Sequence, residues 1–281
     1  MDSNIVTFIG CDSSFSDAKT VLFGAPFDST TSYRPGTRFA SRTIRAESEG
    51  LETYSPYLDK DLTDIRVFDA GDLELCFGNT EKALHDIEDM AAAIITEDKI
   101  PCMIGGEHLV TLGAVRALYA KYPDLHLIHF DAHTDLREDY LGEPLSHATV
   151  MRRVWDMLGD GRLNQFGIRS GERSEFAWAK KHSYLHPFDF ETLEMRVQAL
   201  SNVPVYFSLD LDVLDPSVFP GTGTPEPGGV TFDELRQACM LLRGLNIVGF
   251  DVCELSPHYD PSGASTAVAC KIIRELLLAF Y

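Results

Sequence analysis

The stretch that decides the fold is Leu125–Asp135, which reads LHLIHFDAHTD. Its apolar part, Leu125–Phe130, has the length and composition of a buried strand, and Asp131, His133 and Asp135 follow at alternate positions. In an extended chain, alternate side chains point to the same side about 6.6 Å apart, so a slight curl brings all three to one point. An imidazole between two carboxylates is a ligand set for a divalent metal ion, and we expect a metal site here rather than a polar loop.

Two further strands end in residues of the same kind. Val205–Asp212, which reads VYFSLDLD, carries Asp210 and Asp212 at its end, and Ile100–Ile104 is followed by two glycines and then by His108. Four carboxylates and two imidazoles are too many, and too rich in oxygen, for one tetrahedral zinc ion. Bridging carboxylates between two divalent ions about 3.5–4 Å apart would use them all. The sequence therefore predicts a two-metal site with the ligands His108, Asp131, His133, Asp135, Asp210 and Asp212.

The composition is that of a globular enzyme. The chain has 281 residues, of which 44% are hydrophobic and 24% charged, and no linker divides it, so residues 1–281 are interpreted as a single domain. Met1–Gly10 lacks the basic and apolar regions of a secretion signal, and no apolar run is long enough to cross a bilayer, which favours a cytoplasmic location. The six cysteines form no C-x-x-C pair and are expected to be buried free thiols. A net charge of −19 disfavours nucleic acid and membranes as partners and favours a cationic ligand.

Strands and helices alternate along the chain. The predicted strands cover residues 19–25, 65–69, 100–104, 125–130, 163–168, 183–186, 205–212 and 246–255. The predicted helices cover residues 80–96, 110–122, 150–158, 190–200 and 265–280, with another after the loop of residues 26–45 and another opened by a capping box at Thr231 and Glu234. This order predicts an α/β fold with a mostly parallel sheet of about eight strands and helices on both faces. Ligands of such sheets bind beyond the carboxyl ends of the strands, which is where all six predicted metal ligands fall.

Five motifs in order resemble those of one family. They are GGEH at 105–108, DAHTD at 131–135, SHAT at 146–149, SLDLDVLDP at 208–216 and DVCELSP at 251–257. Together they resemble the ureohydrolases, the arginase and agmatinase superfamily, over nearly the whole chain. The resemblance implies a three-layer αβα sandwich around an eight-stranded parallel sheet, two manganese ions, and self-association as a trimer or hexamer. One ion would be held by His108, Asp131, Asp135 and Asp210, and the other by Asp131, His133, Asp210 and Asp212.

The same resemblance implies the chemistry. Two divalent ions lower the pKa of a shared water, which attacks the carbon of a guanidinium group and releases urea and an amine. Asp135 would relay the proton of this water, and His147, in the loop after the DAHTD motif, would exchange protons with solvent, a role suited to an imidazole that titrates near pH 7. Glu254 would pair with the planar guanidinium.

The choice of guanidine depends on three positions. Arginases carry an Asn that binds the substrate carboxylate where this chain has Arg137, followed by two acidic residues, and an Arg-Asp pair where this chain has Arg169 and Ser170. The loop DLREDYLGEPLSH resembles that of bacterial agmatinases, although many of these read SHGT where this chain has Ala148. The resemblance thus implies agmatine as the substrate and putrescine and urea as the products. Arginine and guanidinobutyrate are the alternatives.

Other interpretations explain fewer residues. FSLDLDV resembles the nucleophile motif of haloacid-dehalogenase-type phosphatases, but that reading leaves DAHTD and GGEH unused. A calcium loop at Asp210 lacks the glycine and glutamate that such loops require. A histone-deacetylase-like enzyme would use one zinc ion without the full set of paired aspartates, and a metal-binding protein with a closed pocket would have no activity. In the loop of residues 26–45, Asp28, Arg34 and Arg38 could line a site or a subunit contact, and a structural role is favoured.

Overall fold

An eight-stranded parallel sheet lies at the centre of the computed structural model, which describes residues 6–281. Its strands are β1 (Thr20–Gly24), β4 (Val67–Asp72), β5 (Ile100–Ile104), β6 (His126–Phe130), β7 (Leu163–Ile168), β8 (Tyr184–Pro187), β9 (Pro204–Asp210) and β10 (Asn246–Cys253). Their order in the sheet is β4-β1-β5-β10-β9-β6-β7-β8, and all neighbouring pairs are parallel. A small antiparallel hairpin of β2 (Tyr54–Ser55) and β3 (Lys60–Asp61) lies outside this sheet.

Within the described part of the chain, eight helices cover the two faces of the sheet. They are α1 (Ala40–Ser48), α2 (Thr80–Thr96), α3 (Thr111–Lys121), α4 (Val150–Leu158), α5 (Arg173–His182), α6 (Leu193–Ala199), α7 (Phe232–Leu241) and α8 (Ala264–Phe280). One apolar core contains side chains of α1, α6, α7 and α8, and a second core contains side chains of α2, α3, α4 and α5. This arrangement confirms the predicted three-layer αβα sandwich.

Burial on both faces explains why the central strands read as continuous apolar runs. All seven residues of β9 are buried, as a parallel strand covered by helices requires. Two of the amphipathic helices begin at side-chain caps. Asn79 accepts a hydrogen bond from the backbone N–H of Lys82 at the start of α2, and Thr231 and Glu234 form the predicted capping box of α7. Within residues 6–281, no helix is long and apolar enough to span a bilayer. The segment Met1–Gly10, which the sequence analysis interpreted as lacking a secretion signal, lies partly outside the described residues, since these begin at residue 6.

The structure differs from the sequence-based expectation at several places, which include the unpredicted hairpin of β2 and β3 and the start of α6 at Leu193 rather than residue 190. Helix α5 was not predicted. Strand β4 begins at Val67 rather than residue 65, because a turn at Leu62–Asp64 precedes it. Strand β9 ends at Asp210, so Asp212 lies in the following turn, Leu211–Val213, rather than in the strand.

The sheet order determines where the site forms. Strands β5, β10, β9 and β6 are neighbours in the middle of the sheet, and their carboxyl ends lie side by side. Each strand ends at or within a few residues of a site residue: His108 follows β5, Glu254 follows β10, Asp210 ends β9 and Asp131 follows β6. Residues that are far apart in sequence therefore meet at one edge of the sheet.

Candidate active site

The imidazole of His108 lies among three buried carboxylates. Its Nδ1 atom is 3.1 Å from Oδ2 of Asp131, 3.3 Å from Oδ2 of Asp135 and 3.2 Å from Oδ2 of Asp210. All four side chains are less than 9% exposed. One nitrogen and three oxygens thus converge on one point at the carboxyl end of the sheet.

A second group forms on the other side of Asp131. Nδ1 of His133 lies 3.1 Å from Oδ2 of Asp212 and 3.5 Å from Oδ1 of Asp131. Asp131 therefore faces the His108 group with Oδ2 and the His133 group with Oδ1. The structure brings together all six residues that the sequence proposed as metal ligands.

The backbone of the loops holds these carboxylates in place. Oδ1 of Asp131 accepts a hydrogen bond of 2.5 Å from the N–H of His133, and Oδ1 of Asp210 accepts one of 2.8 Å from the N–H of Asp212. Asp135 has a φ of 52° and Glu254 a φ of 67°, the left-handed region that non-glycine residues rarely occupy. Such strain is found where a site requires a side chain in a particular direction.

Crowding of buried carboxylates changes their protonation. Burial, and then the charge of Asp131, raises the pKa of Asp135 to about 7, and burial together with Asp212 raises the pKa of Asp210 well above its ordinary value. Burial opposes protonation of His108, but its hydrogen bonds to Asp131, Asp135 and Asp210 outweigh it and raise its pKa. Groups of one sign that are packed out of water are stabilised by a bound cation, so the charge pattern fits divalent metal ions.

A hydrogen-bond chain behind His108 fixes which of its nitrogens faces the carboxylates. Asp251, fully buried, accepts hydrogen bonds from Ser208 Oγ (2.8 Å), Thr111 Oγ1 (2.9 Å) and the hydroxyl of Tyr206 (2.6 Å). Because Ser208 donates its proton to Asp251, it accepts one from Nε2 of His108 at 2.9 Å. Nδ1 is therefore the nitrogen that would bind a cation in place of a proton. Contacts of this kind between distant strands could not be seen in the sequence.

His129 is the residue of the site that the sequence analysis missed. It is fully buried, its Nε2 lies 2.7 Å from Oδ2 of Asp131, and it has atoms within 4.8 Å of those of His108, Asp131 and Asp135. The signal was present, because His129 continues the alternation of Asp131, His133 and Asp135 backwards by two residues. Burial lowers its pKa and keeps the ring neutral.

A cavity of about 300 Å³ opens above the two groups of predicted ligands. Its inner part is lined by Asp135, Asp210 and Glu254, and its mouth by Arg137, Glu172, Tyr140 and His147. Oε1 of Glu254 accepts a hydrogen bond of 2.7 Å from the N–H of His108, which holds the carboxylate at the cavity wall.

His147 lies in the loop beside this cavity. Its N–H donates to Thr30 Oγ1 at 3.1 Å, and its Nε2 lies 3.0 Å from Ser32 Oγ. Burial lowers the pKa of His147 to about 4, so the imidazole is neutral at pH 7. The sequence-based expectation was an imidazole that titrates near pH 7, whereas the buried ring of His147 is neutral there.

The other arginines of interest have structural contacts. Arg38 pairs with the buried carboxylate of Asp28, and the guanidinium of Arg34 stacks on Tyr33 and Tyr259. Arg169 donates to the backbone oxygen of Asp212 at 2.7 Å and to that of Glu226 at 2.7 Å, so it holds the turn after β9 against the Pro- and Gly-rich loop.

All six cysteines are free thiols, and five of them are buried.

The chain matches the arginase-family model over residues 18–279. It is 48% identical to the agmatinase of Bacillus subtilis (strain 168) over 278 residues, which cover 97% of this chain and 96% of that protein. It is 35% identical to the guanidinobutyrase of Pseudomonas aeruginosa over 93% of this chain and 86% of that protein. A solved structure from Clostridium difficile superposes with a TM-score of 0.93 at 51% identity and covers 95% of this chain and 98% of its own.

The fold and the site define an enzyme of the ureohydrolase type. The chain belongs to the arginase family. The predicted resemblance is therefore confirmed. The phosphatase alternative used only Asp210 and Asp212, whereas the structure places both beside the other predicted ligands.

Proposed function

We propose that this enzyme hydrolyses agmatine to putrescine and urea with two bound Mn²⁺ ions. The observation that carries the proposal is the pair of ligand groups that share Asp131 directly beneath an acidic cavity. The similarity to the B. subtilis agmatinase over almost the full length of both proteins supports the same substrate.

The donor set fits two hard divalent cations. His108, Asp131, Asp135 and Asp210 would hold one ion, and Asp131, His133, Asp210 and Asp212 the other. Carboxylate oxygens with few nitrogens and no thiolate suit Mn²⁺ better than zinc. Four carboxylates balance the charge of two divalent ions, which explains why so many acids are buried together. When bound, the ions would lower the pKa of a water and so supply a nucleophile at neutral pH.

The remaining chemistry falls to side chains that line the cavity. Glu254, held by the N–H of His108, presents a carboxylate that pairs with a planar guanidinium. Asp135, whose Oδ2 lies 3.3 Å from Nδ1 of His108 and whose side chain lines the cavity, is placed to take up the proton of the nucleophile and release it to the departing amine. His147, neutral and beside Ser32, would carry protons between the cavity and solvent.

The mouth of the cavity supports a substrate with a cationic tail. Glu172 and Glu175 line it, and Arg137 is already paired with Glu172 at 2.8 Å. Agmatine ends in an ammonium group, for which Glu172 is a partner, whereas the carboxylate of arginine or guanidinobutyrate would have to displace Glu172 from Arg137. The acidic mouth therefore favours agmatine over both alternatives.

The test is urea release by the Mn²⁺-loaded enzyme offered agmatine, arginine and guanidinobutyrate at equal concentrations. We expect agmatine to have the highest kcat/KM, and the Asp131→Ala variant to lose both metal and activity. Faster turnover of arginine or guanidinobutyrate would overturn the substrate assignment, and metal-independent turnover would overturn the mechanism. Assembly into a trimer or hexamer, implied by the family resemblance, stays a prediction for sedimentation analysis.

A further inference from the structure

His129 contacts the carboxylate that the two ligand groups share. Its Nε2 lies 2.7 Å from Oδ2 of Asp131, while Nδ1 of His108 lies 3.1 Å from the same oxygen. His129 is fully buried, so its ring nitrogens have only protein partners within reach. Whether His129 would bind a metal ion or hold Asp131 depends on which of its nitrogens carries the proton.

Gln165 decides this question. Its Nε2 donates to the backbone oxygen of Thr134 at 2.7 Å, and because a carbonyl only accepts, the amide nitrogen must be on that side. The same Nε2 lies 3.1 Å from Nδ1 of His129. Nδ1 is therefore the acceptor, and the proton of the neutral ring is on Nε2. His129 thus donates to Oδ2 of Asp131 and has no free lone pair for a cation.

The two oxygens of Asp131 then have equivalent surroundings. Oδ1 accepts from the N–H of His133 at 2.5 Å, and Oδ2 accepts from Nε2–H of His129 at 2.7 Å. A carboxylate oxygen has two lone pairs, so each oxygen is held by one donor and keeps one lone pair. One free lone pair faces His108 and the other faces His133.

We infer that His129 is a positioning residue. Gln165 orients its ring, and the hydrogen bond from His129 holds the Asp131 carboxylate in the orientation in which it can bridge two cations. His129 is not itself a ligand. This inference rests on the proposed function in so far as the cations are those of the enzyme. Without the hydrogen bond from His129, Oδ2 of Asp131 would be free to move, and binding of the ion beside His108 would weaken. Oδ1, on the His133 side, would keep its hydrogen bond from the backbone N–H of His133.

The experiment compares His129→Leu with His129→Gln in metal-free enzyme titrated with Mn²⁺ by calorimetry. The amide nitrogen of Gln replaces Nε2 as a donor, whereas Leu fills the space without one. We expect His129→Leu to bind one of the two ions about 10–100-fold more weakly, the usual effect of removing a partner of a metal ligand. His129→Gln should stay within a few-fold of the unsubstituted protein and should retain the electron paramagnetic resonance spectrum of two coupled Mn²⁺ ions.

His126→Leu is the matched control, because His126 is on the same strand and its Nδ1 has no hydrogen-bond partner within residues 6–281. It should bind both ions normally. Normal Mn²⁺ binding by His129→Leu would overturn the inference. Equal losses of affinity in the Leu and Gln variants would also overturn it, because they would indicate that His129 is itself a metal ligand, which an amide donor does not replace. Two bound Mn²⁺ ions without urea release from agmatine would contradict the proposed function and leave this inference standing.

Discussion

Nη1 of Arg137 lies 2.8 Å from Oε1 of Glu172 at the mouth of the cavity. The two residues are on different loops: Arg137 follows the ligands after β6, and Glu172 precedes α5. Glu175 ties the loops together, since it accepts hydrogen bonds from Thr134 Oγ1 at 2.6 Å and from the N–H of Glu172 at 2.6 Å. The loops that carry the ion pair are therefore tied to each other, and both of its side chains line the cavity.

Substitution of Glu172 by Gln tests whether this carboxylate recognises the ammonium group of the substrate. We expect kcat/KM for agmatine to fall about 3–10-fold, less than the full value of a charged hydrogen bond because Glu172 is half exposed. Butylguanidine, which has an uncharged tail, should be unaffected. Glu138→Gln, a neighbouring acid outside the cavity lining, is the control. Equal losses on both substrates would mean that Glu172 acts only through the structure of the loop.

Substitution of His147 by Asn tests its role as a proton carrier. We expect kcat to fall by about 10²-fold, the typical contribution of a general acid or base, because Asn cannot accept a proton. Metal content should be unchanged, since His147 belongs to neither ligand group. The exposed His85→Asn variant is the control. Loss of Mn²⁺ from His147→Asn would instead indicate a structural role in the loop.

The fold could be predicted from the sequence because the central strands are covered on both faces. Strands such as β7 and helices such as α2 and α4 have the predicted ends, since their burial leaves a clear apolar pattern. Helix α5 was not predicted because only two of its residues are buried and because its N-cap, Glu172, is not a preferred capping residue. The reciprocal hydrogen bonds between Glu172 and Glu175, in which each side chain accepts from the other's backbone N–H, become visible only in the folded chain.

The ligands could also be predicted, because alternation places Asp131, His133 and Asp135 on one side of the chain. The residues that orient them could not. Ser208 and Asp251 act on His108 from two other strands, and Gln165 acts on His129 from a third. Such contacts depend on the order of strands in the sheet, which single-sequence periodicity does not contain.

Removal of metal should lower thermal stability. Buried carboxylates that repel one another are stabilised by cations, and ions that bind only the folded state add about 2.7 kcal/mol at a concentration 100 times Kd. For a chain of this size we expect a rise in Tm of roughly 5 °C when Mn²⁺ is added to chelator-treated protein, measured by calorimetry. Asp131→Ala should abolish most of this rise. An unchanged Tm would show that the two groups do not bind the ion.

Asp260 should make the free energy of unfolding depend on pH in the acid range. Burial would raise the pKa of Asp260, but hydrogen bonds from Ser262 and Ser265 outweigh it and lower the pKa to about 2. The carboxylate therefore stabilises the fold fully above its ordinary pKa of 3.8, and this contribution is lost as the pH falls to about 2. In Asp260→Asn, denaturant titrations should show a smaller decrease in the free energy of unfolding over that interval. An identical pH dependence would contradict the assignment.

Gly106 should be essential for the position of His108. A Cβ at this residue would overlap the backbone oxygen of Phe27, which belongs to the loop after β1 and cannot move as a side chain could. We expect Gly106→Ala to lower the free energy of unfolding by about 1–3 kcal/mol, the usual effect of overpacking, and to weaken Mn²⁺ binding because His108 is two residues away. Gly78→Ala is the matched control, since a Cβ there would meet nothing within 4 Å and its backbone needs no left-handed conformation. Calorimetric unfolding and metal titration of both variants provide the measurement. Equal behaviour of the two would show that the loop after β1 gives way, and that the close approach of Gly106 to Phe27 does not hold the site.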